Sequence, residues 1–158
     1  MKNTFKRSGA ALISLVLLLV LAVSAGAASS QNVGVKFWKE RSDKESMANS
    51  GIDPDRTAIL TRQANGTYTL TLPVMQVSKL GVTGYLSGLT IGDVTYDGTL
   101  TGDFNKATAV LTIKNLPASV LTGSDVNKSV LVTCNIQMDL QVLGEINTSA
   151  RMCIWNQK

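Results

Sequence analysis

Sulfur supplies most of the chemistry open to this chain. Met47, Met75, Met138 and Met152 carry soft thioethers, Cys134 and Cys153 carry thiols, and histidine is absent from all 158 residues. Without an imidazole there is no Ser-His-Asp or Cys-His nucleophilic site, and no His-based zinc site. Paired carboxylates remain a formal route to hydrolysis. However, Asp93, Asp97 and Asp103 recur beside glycines, which is ordinary turn chemistry. A non-catalytic protein is expected. Among the sulfurs, Met47 stands out by context, because it interrupts the polar run SDKESMANSG, residues 42–51. Methionine usually goes where it can be buried. Either this segment folds back and tucks it in, or something apolar docks there.

The elements that must position these residues are strands. Tyr68, Leu70, Leu72 and Val74 alternate with threonines, and Ala109, Leu111 and Ile113 repeat the pattern. A longer row runs through Val130, Val132, Cys134, Ile136, Met138, Leu140 and Val142, with polar residues between. Apolar residues on one face and polar ones opposite describe half-buried antiparallel strands. Asn65-Gly66 is a hairpin turn signal. Further breaks fall at Gly88, Gly92, Gly98, Gly102, Pro117, Gly123 and Gly144. Seven or eight short strands with frequent turns predict an all-β chain, an antiparallel β-sandwich. Residues 42–51 are the one stretch where a short helix is expected, a lip capped by Ser42 or Asp43, with Glu45 in its first turn and Gly51 at its end.

The N-terminus reads as a targeting segment. Lys2, Lys6 and Arg7 precede an apolar run from Ala10 to Val23, and Ala25-Gly26-Ala27 is a small-x-small cleavage signal. That run is short for a spanning helix of about 20 residues, so residues 1–27 are expected to be a secretory signal peptide. An uncleaved N-terminal anchor is the other reading. Residues 28–158 then form a single domain, exported and either secreted or associated with the cell surface. Three of the 15 Lys and Arg fall in the signal, leaving 12 against 11 Asp and Glu. No basic cluster stands beside interleaved aromatics, so no nucleic-acid partner is expected.

Four stretches together resemble a known family: VKFWKERSDKESMANSGID, the NGTYTLTLP hairpin, GVTGYLSGL and the closing ARMCIW. They are similar to the near-iron transporter (NEAT) domains of Gram-positive bacteria, above all to a clostridial variant with a Gly-Tyr-Leu motif, here Gly84-Tyr85-Leu86. The resemblance spans roughly residues 33–156. It implies an immunoglobulin-like sandwich that binds haem between the lip helix and the last hairpin, for iron acquisition. It implies that Ser46 and Met47 lie over one haem face, the serine hydroxyl reaching a propionate. Other cell-surface haem-relay proteins or host haemoproteins would be its partners. The pattern also departs from the family. Strong haem binders carry Tyr-x3-Tyr on the last hairpin, and here LGEINTSARMCIW contains no tyrosine.

A thioether is a legitimate haem ligand and raises the reduction potential. Met47 on the lip and Met138 on the hairpin are the axial-ligand candidates, approaching from opposite sides. Met138 also fits as core, in register with six other apolar residues. Met152 reads as core and Met75 as core or edge filler. Tyr85 is either a haem contact or a core aromatic with its hydroxyl at the surface, and Trp38 and Trp155 read as core or rim. Cys134 and Cys153 invite a disulfide in an exported protein. The register that turns Ala150, Met152 and Ile154 inward opposite Cys134 sends Cys153 to the other face, whereas a one-residue slip would pair the cysteines. Two alternatives to a haem carrier stand beside it. One is a NEAT-shaped interaction or adhesion module that binds no haem. The other is a soft-metal site, such as Cu(I), built from Met47, Met138 and the cysteines.

Overall fold

The computed structural model describes residues 28–79, 81–139 and 144–158. The expected signal segment, residues 1–27, lies outside them, as do Leu140 and Val142 of the long alternating row. No described helix is long and apolar enough to cross a membrane.

Among the described residues, nine strands follow the alternating segments: β1 (Ser29–Lys39), β2 (Ala58–Arg62), β3 (Tyr68–Pro73), β4 (Val77–Lys79), β5 (Val82–Ile91), β6 (Val94–Thr101), β7 (Val110–Leu116), β8 (Val130–Met138) and β9 (Glu145–Asn156). The β2–β3 hairpin turns where Asn65-Gly66 predicts. Gly66 takes a φ of 84°, and the Asn65 carboxamide oxygen accepts from the Thr67 amide at 3.0 Å and the Thr67 hydroxyl at 2.7 Å. Glycine reaches that left-handed conformation without a Cβ penalty.

All pairings are antiparallel, in the order β4-β5-β6-β7-β3-β2-β1-β9-β8, and β5 also pairs β8. That last pairing changes the architecture. The expectation of two separate sandwich sheets gives way to one ladder of eight strands closed on itself like a barrel, with β4 flanking β5. The ten-residue β5 makes closure possible. Its C-terminal half pairs β6 while Gly84–Thr90 pairs β8, with a register shift between Leu86 and Gly88. A Cβ on Gly88 would stand 2.7 Å from the Tyr96 carbonyl oxygen, so the crowded seam at that shift needs a residue without one.

Inside the ring, the alternating rows become core. Phe37, Leu70, Leu72, Leu111, Ile113 and Met152 are fully buried. Burying such side chains contributes about 1.5–3 kcal/mol each, most of it offset by the entropy of ordering the chain.

The cysteines are free and both buried. Cys134 pairs Thr148 across β8–β9, while Met152, next to Cys153, pairs Val130. Cys153 therefore lies several residues along the ladder and on the opposite face from the inward Ala150, Met152 and Ile154. There its thiol points to the Asp125 carbonyl oxygen at 3.6 Å. The disulfide expected as one alternative is not formed, because side-chain vectors that leave a strand on opposite faces do not converge.

Candidate binding cleft

The lip is where the structure departs most from its sequence reading. No α-helix forms there. Residues 39–45 instead loop back onto β1, with the Lys39 amide donating to the Lys44 carbonyl at 2.8 Å and Trp38 bridging Glu45. Glu45 is thus outside the turn, and neither Ser42 nor Asp43 caps it. The loop leads into a single 3-10 turn, Met47–Gly51, capped by Ser46, whose hydroxyl accepts from the Ala48 amide at 3.3 Å. Gly51 ends it, as expected.

Side chains fasten this turn to the sheet. The Asn49 carboxamide accepts from the Phe37 amide at 2.8 Å and donates to the Phe37 carbonyl at 2.7 Å, so it pairs with β1 as a strand residue would. Arg151 on β9 reaches the Lys39 carbonyl at 3.1 Å, the Ser42 carbonyl at 2.9 Å and the Asp43 carboxylate at 2.7 Å. On the far side, Met75 donates its amide to the Gly51 carbonyl at 3.0 Å, and Ile52 bridges Val74.

Between the lip and the sheet lies a cleft of about 320 Å³. Met47, Ala48, Gly51 and Val77 form one wall. Val82, Gly84 and Leu86 of β5, Ile136 and Met138 of β8, and Ile146 and Thr148 of β9 form the other. No charged side chain is among these lining residues. The sheet wall continues the inward-facing rows of the core. Val132 and Cys134 are buried at one end of β8, and Ile136 and Met138 face the cleft at the other. Gly84 makes room for the sulfur, since a Cβ there would stand 2.7 Å from Met138 Sδ. The two alternatives for Met138 are thus one row with two fates, core at its start and cleft at its end.

The structure therefore brings Met47, Met138 and Tyr85 to one site, and places Ser46 outside its lining. Ser46 is buried, and its hydroxyl accepts from the Ala48 amide in capping its own turn. Tyr85 lines the cleft, and its ring packs against Phe104 at a 46° tilt, with centroids 5.2 Å apart. Met152 is core and Met75 is partly exposed beside the lip. Neither tryptophan lines the cleft; Trp155 lies against Gly34, at a second hollow near Asp53 and Arg56. Sequence reasoning missed Val77, Val82, Ile136 and Ile146 as cleft residues. The signal for the last was present, because Ile146 begins the alternation through Thr148, Ala150, Met152 and Ile154. The cysteines do not join the methionines in the lining, so the soft-metal alternative lacks its thiol ligands. Among the described residues, no three His, Cys, Asp or Glu side chains gather as a metal site.

No family model and no curated protein matches the chain. Solved structures do. The NEAT5 domain of IsdX2, a B. anthracis hemophore, and a point mutant of that domain, both in complex with heme, each superpose with a TM-score of 0.53 at 10% sequence identity. Each match covers 84% of this chain and 99% of the other. The fold is that of a NEAT domain. On this NEAT fold the Gly84-Tyr85-Leu86 motif runs along β5, with all three residues in the cleft wall.

Proposed function

We propose that the protein is an exported haem carrier or relay that holds haem in the cleft between lip and sheet, without catalysis. Residues 1–27 would direct export and residues 28–158 form the single carrier domain. Its partners would be haem and, beyond it, other haem-relay proteins at the cell surface or host haemoproteins. The observation that carries the reading is the uncharged cleft of about 320 Å³ with a thioether on each wall, Met47 from the lip and Met138 from β8, in a NEAT fold. These residues fit the group, because haem iron accepts methionine axial ligands and a flat apolar macrocycle needs uncharged walls. Met47 and Met138 would hold the metal, Ile136, Ile146 and Val82 would exclude water from the ring, and Ser46, the cap of the lip turn, would offer its hydroxyl proton to a propionate. Tyr85 contributes a wall rather than a ligand, its ring being engaged with Phe104.

Titration of the protein with haemin, followed by Soret absorbance, tests this. A saturable, one-to-one, red-shifted band is expected. A featureless, non-saturating rise would leave the protein a NEAT-shaped interaction module.

A further inference from the structure

Among the described residues, the cleft lining offers haem two neutral sulfurs and no carboxylate. Tyr85, the one residue there with an ionisable group, packs its ring against Phe104 at a 46° tilt, with centroids 5.2 Å apart. The cysteines stand elsewhere, Cys134 in the core and Cys153 on the other face of β9. Lys36 on β1 and Arg151 on β9 are paired with Glu45 and Asp43 of the loop before the lip turn.

This composition discriminates between oxidation states. The porphyrin dianion neutralises ferrous iron, whereas ferric iron leaves one positive charge uncompensated. An unpaired charge in an apolar, low-dielectric site is costly unless an anion or an oriented dipole meets it. A tyrosinate would supply that anion; thioethers do not. Thioethers are also soft donors that suit the lower oxidation state and raise the potential of the iron they ligate. Charge balance and donor softness therefore act in the same direction.

We infer that the cleft is selective for ferrous haem, Met47 and Met138 being the residues that set the preference. The inference rests on the carrier reading above and adds the redox state of its cargo. Because binding and reduction are linked, the ratio of ferrous to ferric affinity must reappear as a shift in the midpoint potential of the bound iron. Each tenfold preference corresponds to about 59 mV for a one-electron couple.

The experiment compares three titrations of the protein under anaerobic conditions: haemin, haemin reduced by dithionite with one electron per iron, and metal-free protoporphyrin IX. Ferrous haem is expected to bind tighter than ferric by about tenfold or more, with the midpoint raised by about 59 mV per decade. Met47→Leu and Met138→Leu keep the apolar volume. Each is expected to reduce the ferrous preference, read as the ratio of ferrous to ferric affinity of the same variant. Equal affinities, or tighter ferric binding, would overturn the inference and leave the carrier reading standing. A preference that survives both leucine variants would overturn the role of the sulfurs. Failure to bind any of the three porphyrins would overturn both readings together.

Discussion

The two walls of the cleft hold their methionines by different means. Met138 belongs to a strand whose inward row is core at its other end. Its Cα neighbour across the ladder is Gly84, and its own amide donates to the Gly144 carbonyl at 3.1 Å. Met47 stands on a five-residue 3-10 turn, 58% exposed. That turn is held by the Asn49 carboxamide on Phe37, by backbone bonds at Ser46 and Gly51 and by the burial of Ala48, while Arg151 ties down the loop before it. A wall continuous with the core can move only with the core, whereas a wall fastened by a few hydrogen bonds can open alone. The site thus combines a half continuous with the core and a half held by local hydrogen bonds, which suits the proposed entry and release of a large flat ligand.

The largest effect should come from setting the core against the lip. Met152→Ala removes a fully buried side chain on β9 and is expected to cost about 2–5 kcal/mol in chemical denaturation. Met47→Ala, on an exposed side chain, should change stability by no more than about 0.5 kcal/mol and yet weaken haem binding several-fold. If Met47→Ala instead lowered stability like Met152→Ala and left haem binding intact, Met47 would be a packing residue and the comparison of walls would collapse.

A smaller and more local effect is expected from Asn49→Ala. It leaves the buried Phe37 amide without its side-chain acceptor, a loss of about 1–3 kcal/mol. Hydrogen exchange locates the damage. Amides of residues 46–52 should exchange faster while those of β3 and β7 keep their protection. Acceleration spread evenly through the sheet would show that the lip is not an independent unit.

Much of this division was legible in the sequence, and the limits of legibility have physical reasons. Period-two alternation identifies which face a residue occupies, and Leu70, Leu72, Val74, Leu111, Ile113 and Val132 are all buried as that face predicts. Alternation does not report depth along the strand. Cys134 and Met138 share a face, yet one is core and the other lines the cleft with Met47, Ala48 and Gly51, which are far away in the chain. The closure of β5 onto β8 was hidden for a similar reason: pairing across some 50 residues of sequence leaves no local mark. The lip was half legible. The polar setting of Met47 left it either tucked in or open to docking, and it is exposed; local capping rules favoured Ser42 or Asp43. Those residues serve instead in a loop tied to β9 by Arg151, so Ser46 becomes the cap.

The smallest effect is expected where the comparison of faces is sharpest, at the two thiols. Burial pushes the Cys134 thiol up from 9.0 to about 12, so at pH 8 only about one molecule in 10⁴ carries the reactive thiolate. Iodoacetamide at that pH should leave Cys134 unmodified in the folded protein and label it fully after denaturation, as read by mass spectrometry. The sign of the pH effect comes from the same shift. Below about pH 9 the thiol is neutral in folded and unfolded chains alike, so it adds no pH dependence. As pH rises from 9.0 towards 12, the unfolded thiol ionises first and stability falls. Rapid labelling of native Cys134 at pH 8 would mean that the ladder around β8 opens as readily as the lip, which would erase the distinction between the fixed wall and the movable one.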